Sequence, residues 1–192
     1  MRILFTAAEI AARVEALAAE IARMLPAEFV MVGLLKGAAV FVADLARALD
    51  GAGACPEIEF MRLASYGSAK ESSGVVQLIG DVPANLAGRP VLLIDDIFDT
   101  GHSIAYAAAA LRRCQVGKLW TCALLDKPQR RQIEFALDFV GFRSPTCSSS
   151  AMASTTPKSI AICPISASSS KRRLSARRRR PYPRTSPSRA QD

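Results

Sequence analysis

Ile10, Val14, Leu17, Ile21 and Met24 recur at the three- and four-residue spacing of one helix face. Thr6 stands just ahead with Glu9 three residues on, a capping box in which the hydroxyl accepts from a first-turn amide and the carboxylate reaches back. Pro26 ends that helix. The pattern then changes, because FVMVGLL (29–35) is an unbroken apolar run short enough for a strand buried on both faces, and AAVFVADLARAL (38–49) returns to helical spacing. Residues 57–63 alternate as a strand, SYGSAKESSG (65–74) is a mobile polar loop, and 75–79 is suited to pair back. Further strands are predicted at 91–94, 119–125 and 139–142, with a helix over 103–113. Strands alternating with helices predict an α/β fold, a mostly parallel sheet flanked by helices on both faces. Ligands of such sheets bind beyond the carboxyl ends of the strands, which brings the loops at 35–37, 95–103 and 126–128 together.

The chemistry concentrates in VLLIDDIFDTGHS (91–103), where three aspartates follow an aliphatic strand within five positions. Thr100-Gly101-His102-Ser103 opens the next helix, where free amides and the positive end of the helix dipole favour a phosphate, and two hydroxyls add donors. A phosphate has no use for Asp95 and Asp96. Ribose hydroxyls donate to carboxylates, and magnesium shared with a polyphosphate binds them, so the stretch reads as a sugar-phosphate site. The plainer reading is an acidic turn with Asp99 as helix cap, which would serve for two acids but not for three followed by TGxS.

With LLKGAAVFVADL (34–45), FMRLASYGSAKESSG (60–74), LLIDDIFDTGHS (92–103), ALLDKPQRR (123–131) and DFVGF (138–142) in this order, residues 1–142 resemble the type I phosphoribosyltransferases, and among them those acting on 6-oxopurines. The resemblance implies transfer of the 5-phosphoribosyl group from phosphoribosyl pyrophosphate to hypoxanthine, and to guanine, in purine salvage, with Mg2+ as cofactor. It implies that Asp95 and Asp96 hold the ribose hydroxyls and the metal, and that residues 99–103 wrap the 5-phosphate. The first acid of the pair is often Glu in the family, a conservative departure. Asp99 would take or share the proton at purine N7. Lys36 and Gly37 would meet the pyrophosphate, after a peptide bond that is cis in some members. Lys127 would hydrogen-bond the purine 6-oxygen, and Ser65 and Tyr66 belong to a loop that closes over the reacting centre to exclude water. His102, the only histidine, is expected to be solvated or to touch phosphate rather than to do acid-base work. A homo-oligomer, dimer or tetramer, is implied through the region near the Lys36 loop.

Net charge changes the picture only when it is divided. The chain of 192 residues carries a formal charge of +8, yet residues 143–192 hold 11 Lys+Arg and one acid, leaving 14 basic and 16 acidic side chains out of 25 and 17 for residues 1–142. The length suits one domain, and with neither a leader pattern nor a membrane-length apolar run it is expected to be cytoplasmic, without a membrane partner. Five cysteines show no CxxC pairing, which favours buried free thiols over disulfides or zinc.

The resemblance stops after Phe142, where the family continues with something like EIPDVFVVGYGIDYAEKYRHLPYIG and this chain reads RSPTCSSSAMASTTPKSIAICPISAS. Codons built from the third base of one residue and the first two of the next recover the family sequence. Pro145-Thr146 permits Asp, Thr146-Cys147 Val, Cys147-Ser148 Phe, Met152-Ala153 forces Gly, and Ser154 to Ala167 permits DYAEKYRHLPYIG. A single-base insertion or deletion near codons 142–144 accounts for this agreement. On that reading 1–142 is a phosphoribosyltransferase domain lacking its C-terminal part, 143–192 is a disordered basic tail, and the loss impairs activity and uncovers a sheet edge. Two competitors are an arginine-rich tail that binds nucleic acid and a phosphoribosyl-pyrophosphate-sensing, nucleic-acid-binding regulator of the same fold. Asp99 and Lys127 favour the enzyme, since a sensor needs no purine-directed groups, and a nucleic-acid partner is not expected.

Overall fold

The computed structural model describes residues 5–66 and 75–144. Helix α1 (Ala7–Met24) begins with the predicted capping box, the Thr6 hydroxyl accepting from the Glu9 amide while Glu9 accepts from the Thr6 amide. Strand β1 (Val30–Leu35) and helix α2 (Ala39–Gly51) follow, then β2 (Glu57–Tyr66), β3 (Val75–Ile79), β4 (Val91–Phe98), α3 (His102–Arg113), β5 (Leu119–Asp126) and β6 (Phe139–Arg143). The strands form one sheet in the order β3-β2-β1-β4-β5-β6, parallel throughout except for the antiparallel β2–β3 pair.

Side chains alternate across the central strands, so each face gains its own core. Met31, Leu92, Ile94, Trp120 and Cys122 pack beneath α1 and α2, while Val30, Val32, Val91, Leu93 and Ala123 pack beneath α3. Burial of Val91 to Ile94 at 0% exposure explains their unbroken apolar pattern, since a polar residue would fail on either face. No helix among the described residues is long and apolar enough to cross a membrane.

Two strands, β2 and β4, run well past their sequence pattern. Ser65 and Tyr66, assigned to a closing loop, lie in β2 opposite Val76 and Val75, because the hairpin ladder continues past the point where apolar alternation fades; residues 67–74 lie outside the described residues. Strand β4 continues through Asp95 to Phe98, paired with β5 as far as Asp126. Among the described residues β6 is the last strand of the sheet, and part of its backbone is taken by the Arg13 guanidinium of α1, which donates to the carbonyls of Val140 and Gly141 at 2.7 Å each and pairs with Glu20. Phe5 stacks on Phe142 beside it, with ring centroids 4.0 Å apart. The thiols divide as well: Cys122 is buried, but Cys55 is exposed and Cys114 intermediate, while Cys147 and Cys163 lie outside the described residues. Burial drives the Cys122 thiol far above its usual value, so it is inert at physiological pH.

Candidate active site

Strands β1, β4 and β5 are neighbours, so the loops leaving their carboxyl ends share one end of the sheet, and the connection reverses direction between β1 and β4. Lys36 and Gly37, both exposed, lie in the first loop, and the Leu35–Lys36 peptide is cis. A Cβ on Gly37 would lie 2.5 Å from an Asp96 carboxylate oxygen, so the glycine lets the β1 loop close against that side chain. This necessity is internal to the protein and adds to the backbone approach expected from sequence.

The two acids are adjacent on β4 and their side chains interact. Asp96 faces the Gly37 loop, whereas Asp95 lines a small cleft with Asp99, Thr100, Gly101 and Ser103 on the α3 side. The Asp95 carboxylate accepts from the Asp96 amide at 2.9 Å, and burial, together with the Asp96 charge, raises its carboxyl well above the ordinary carboxylate range. Among the described residues neither carboxylate takes part in an ion pair, which suits a diol or a divalent ion. Among the described residues no group of three or more His, Cys, Asp or Glu is placed to hold a metal.

Helix α3 starts at His102 behind Gly101, whose φ of 96° few side chains tolerate, and it has no side-chain cap. Its first amides remain available, as a phosphate site requires. Asp99 is therefore not the helix cap. Its Oδ2 pairs with the Arg130 guanidinium at 3.0 Å, and its Oδ1 is buried without a partner among the described residues. His102, half-buried, lies 3.0 Å through Nε2 from the Gln132 side-chain oxygen, an exposed tie between the start of α3 and the segment after β5.

Lys127 follows β5, and its amide donates to the Phe98 carbonyl at 2.9 Å, which seats the loop after β5 directly beside β4. A 3₁₀ turn at Pro128–Arg130 folds the chain back, and Lys127 with Pro128, Gln129, Arg130 and Ser144 lines a second shallow cleft. Apart from Ser65 and Tyr66, the predicted positions gather at the carboxyl ends of three adjacent strands: Lys36 and Gly37 after β1, Asp95 and Asp96 within β4, Asp99 to Ser103 from the end of β4 into the first turn of α3, and Lys127 after β5. Sequence reasoning missed Arg130, paired with Asp99, and Asp126 and Arg131, paired with each other. The only available signal was the pair of arginines in DKPQRR, which has no periodicity to mark it.

Comparison with known proteins agrees with this geometry. The phosphoribosyl transferase domain family matches residues 3–156. The hypoxanthine-guanine phosphoribosyltransferase of Aquifex aeolicus is 41% identical over 147 residues, covering 76% of this chain and 81% of the relative, and the hypoxanthine phosphoribosyltransferase of Escherichia coli is 32% identical over 148 residues, covering 76% and 82%. A crystal structure of the Staphylococcus aureus hypoxanthine phosphoribosyltransferase superposes with a TM-score of 0.68 at 33% identity over 75% of this chain and 77% of the other. A Trypanosoma cruzi hypoxanthine phosphoribosyl transferase, studied for the role of its C-terminal region in oligomeric state and enzymatic activity, superposes with a TM-score of 0.69 at 33% identity over 76% and 78%. The chain belongs to the phosphoribosyl transferase family, within its hypoxanthine and hypoxanthine-guanine phosphoribosyltransferases.

Proposed function

We propose that the crevice between the β1, β4 and β5 loops transfers the 5-phosphoribosyl group of phosphoribosyl pyrophosphate to hypoxanthine, and to guanine, with release of pyrophosphate. The observation that carries this reading is the meeting of a half-buried carboxylate pair with an uncapped helix start on one side and the Lys127 loop on the other. Asp95 and Asp96 accept from the ribose diol. The amides opening α3, with the Thr100 and Ser103 hydroxyls, hold the 5-phosphate, and Gly101 gives the backbone its turn. Lys36 supplies a cation toward the pyrophosphate, and Gly37 lets the loop approach. Lys127 donates to the purine 6-oxygen and so discriminates against a 6-amino base. Asp99, with one carboxylate oxygen unpartnered among the described residues, takes or shares the N7 proton. Ser65 and Tyr66, at the end of β2, flank the segment proposed to exclude water.

Two acids without a third ligand fit magnesium that arrives on a polyphosphate better than a dedicated metal cage. When bound, magnesium supplies positive charge to the departing pyrophosphate. The exposed Val40, Ile58 and Phe60, near the β1 loop, support a homo-oligomer built through this side of the sheet, checked by sedimentation. The relatives named above are enzymes, and none supports the nucleic-acid-binding regulator.

We further propose that residues 143–192 are an out-of-frame continuation of this enzyme, so that 1–142 is a catalytic domain short of its last part. Resequencing the gene tests this, and an unshifted frame still encoding the tail would defeat it. The function is tested by assaying this chain beside a frame-restored one with hypoxanthine, guanine, xanthine and adenine. Transfer to the 6-oxopurines, stronger in the restored chain and absent with adenine, is expected. Adenine as the preferred acceptor contradicts the role given to Lys127.

A further inference from the structure

The loop before α3 and the loop after β5 are joined by one side chain that has no place in the mechanism above. Arg131 donates through Nη2 to the carboxylate of Asp126, the residue just before Lys127, and its guanidinium carbon lies 3.1 Å from the ring centroid of Phe98, the residue just before Asp99. Its side chain is 17% exposed and that of Asp126 11%, so both charges are largely out of water. A Cβ added to Gly101 would stand 3.4 Å from Arg131 Cδ, which places the aliphatic stem against the phosphate loop as well. The neighbouring backbone repeats the connection: the amides of Gln132 and Ile133 both donate to the Thr100 carbonyl, at 3.0 and 3.3 Å.

A guanidinium held over an aromatic ring and paired with a carboxylate is anchored at two points, unlike a lysine in the same place. Nη1 of Arg131 is buried with no partner among the described residues. A buried charge with one donor unmet is a poor way to stabilise a turn, which points to a geometric role. We infer that Arg131 is a positioning residue: held by Phe98 and Asp126, it fixes the distance between the Thr100–Ser103 phosphate cradle and Lys127 at the base. A ligand that spans both half-sites depends on that distance, because its second contact is made intramolecularly only when the sites are correctly spaced. A ligand that fills one half-site does not.

The inference rests on the proposed function, and the test separates the two. Binding of inosine 5-monophosphate, which spans both loops, and of ribose 5-phosphate, which reaches the cradle and the Asp95 and Asp96 carboxylates but not Lys127, is measured by calorimetry on the full chain, on Arg131→Met and on Arg131→Lys, with thermal melting alongside. The expected result for Arg131→Met is at least a tenfold loss for the nucleotide with less than a twofold change for ribose 5-phosphate. Arg131→Lys, which keeps the charge but loses the two-point anchor, falls between. Equal weakening of both ligands marks a merely structural role and overturns the inference, as does an unchanged ratio in a variant that melts normally. An unsubstituted chain that binds the nucleotide no more tightly than ribose 5-phosphate overturns it too. One that binds neither ligand contradicts the site itself, and the inference with it.

Discussion

Gly37→Ala tests how tightly the β1 loop is fitted to the β4 carboxylates. The added methyl would lie 2.5 and 2.6 Å from the Asp96 carboxylate oxygens and 2.7 Å from its carbon, whereas ordinary contact begins at 3.4 Å. The carboxylate must therefore retreat by about 0.9 Å or change rotamer. A strand-end side chain can rotate away, so the stability cost sits at the low end of overpacking, about 1 kcal/mol or about 3 °C in melting temperature. Binding suffers far more, since a displacement of about 1 Å at a positioning group costs on the order of a hundredfold. Titration calorimetry with magnesium phosphoribosyl pyrophosphate measures this directly. Gly51→Ala is the control: it closes α2, its Cβ would meet nothing within 4 Å, and it should gain up to about 1 kcal/mol of stability with no change in affinity. If Gly37→Ala binds the donor as tightly as the unsubstituted chain, the close fit between Gly37 and Asp96 has no bearing on the ligand and the reasoning is refuted.

Other outcomes follow from the same geometry. The Asp95 carboxyl is raised by burial and by Asp96, so its ionised form is disfavoured in the folded state and weakens the fold at neutral pH. Asp95→Asn should melt higher than the unsubstituted chain at pH 7 without ligand. The gain should shrink as pH falls through the raised folded value and vanish below the ordinary value of 3.8; an Asn variant that melts lower at pH 7 contradicts this. Arg13→Leu removes two charge-assisted bonds to β6 from a side chain 26% exposed, and should cost about 2 kcal/mol, or about 5 °C in melting temperature, with donor affinity retained. Lys127→Gln should weaken hypoxanthine transfer about tenfold or more while narrowing the preference over adenine, checked by steady-state assays with both bases.

The sheet and its helices were legible because their periodicities are strong: the Thr6–Glu9 capping box fixed the start of α1, and four consecutive apolar residues at 91–94 marked a strand covered on both faces. The position of the crevice was legible for the same reason, since three motif-bearing loops all followed strands. What escaped was set by pairing between segments. The extension of β4 through its acids depends on β5 alongside. The Arg131–Asp126 pair depends on a 3₁₀ turn that folds the loop after β5 onto Phe98, and five residues of separation carry no helical or strand signal to announce it. Asp99 read as a plausible cap until the left-handed Gly101 showed the helix starting later without one.

The most direct measurement is the affinity of the chain for magnesium phosphoribosyl pyrophosphate with and without the paired carboxylates. Asp95→Asn/Asp96→Asn keeps the size of both side chains and removes their charge, and a loss of at least about a hundredfold is predicted from two charge-assisted contacts to the ribose. An affinity equal to that of the unsubstituted chain, in a variant that melts cooperatively, would contradict the assignment of this crevice to a ribose phosphate.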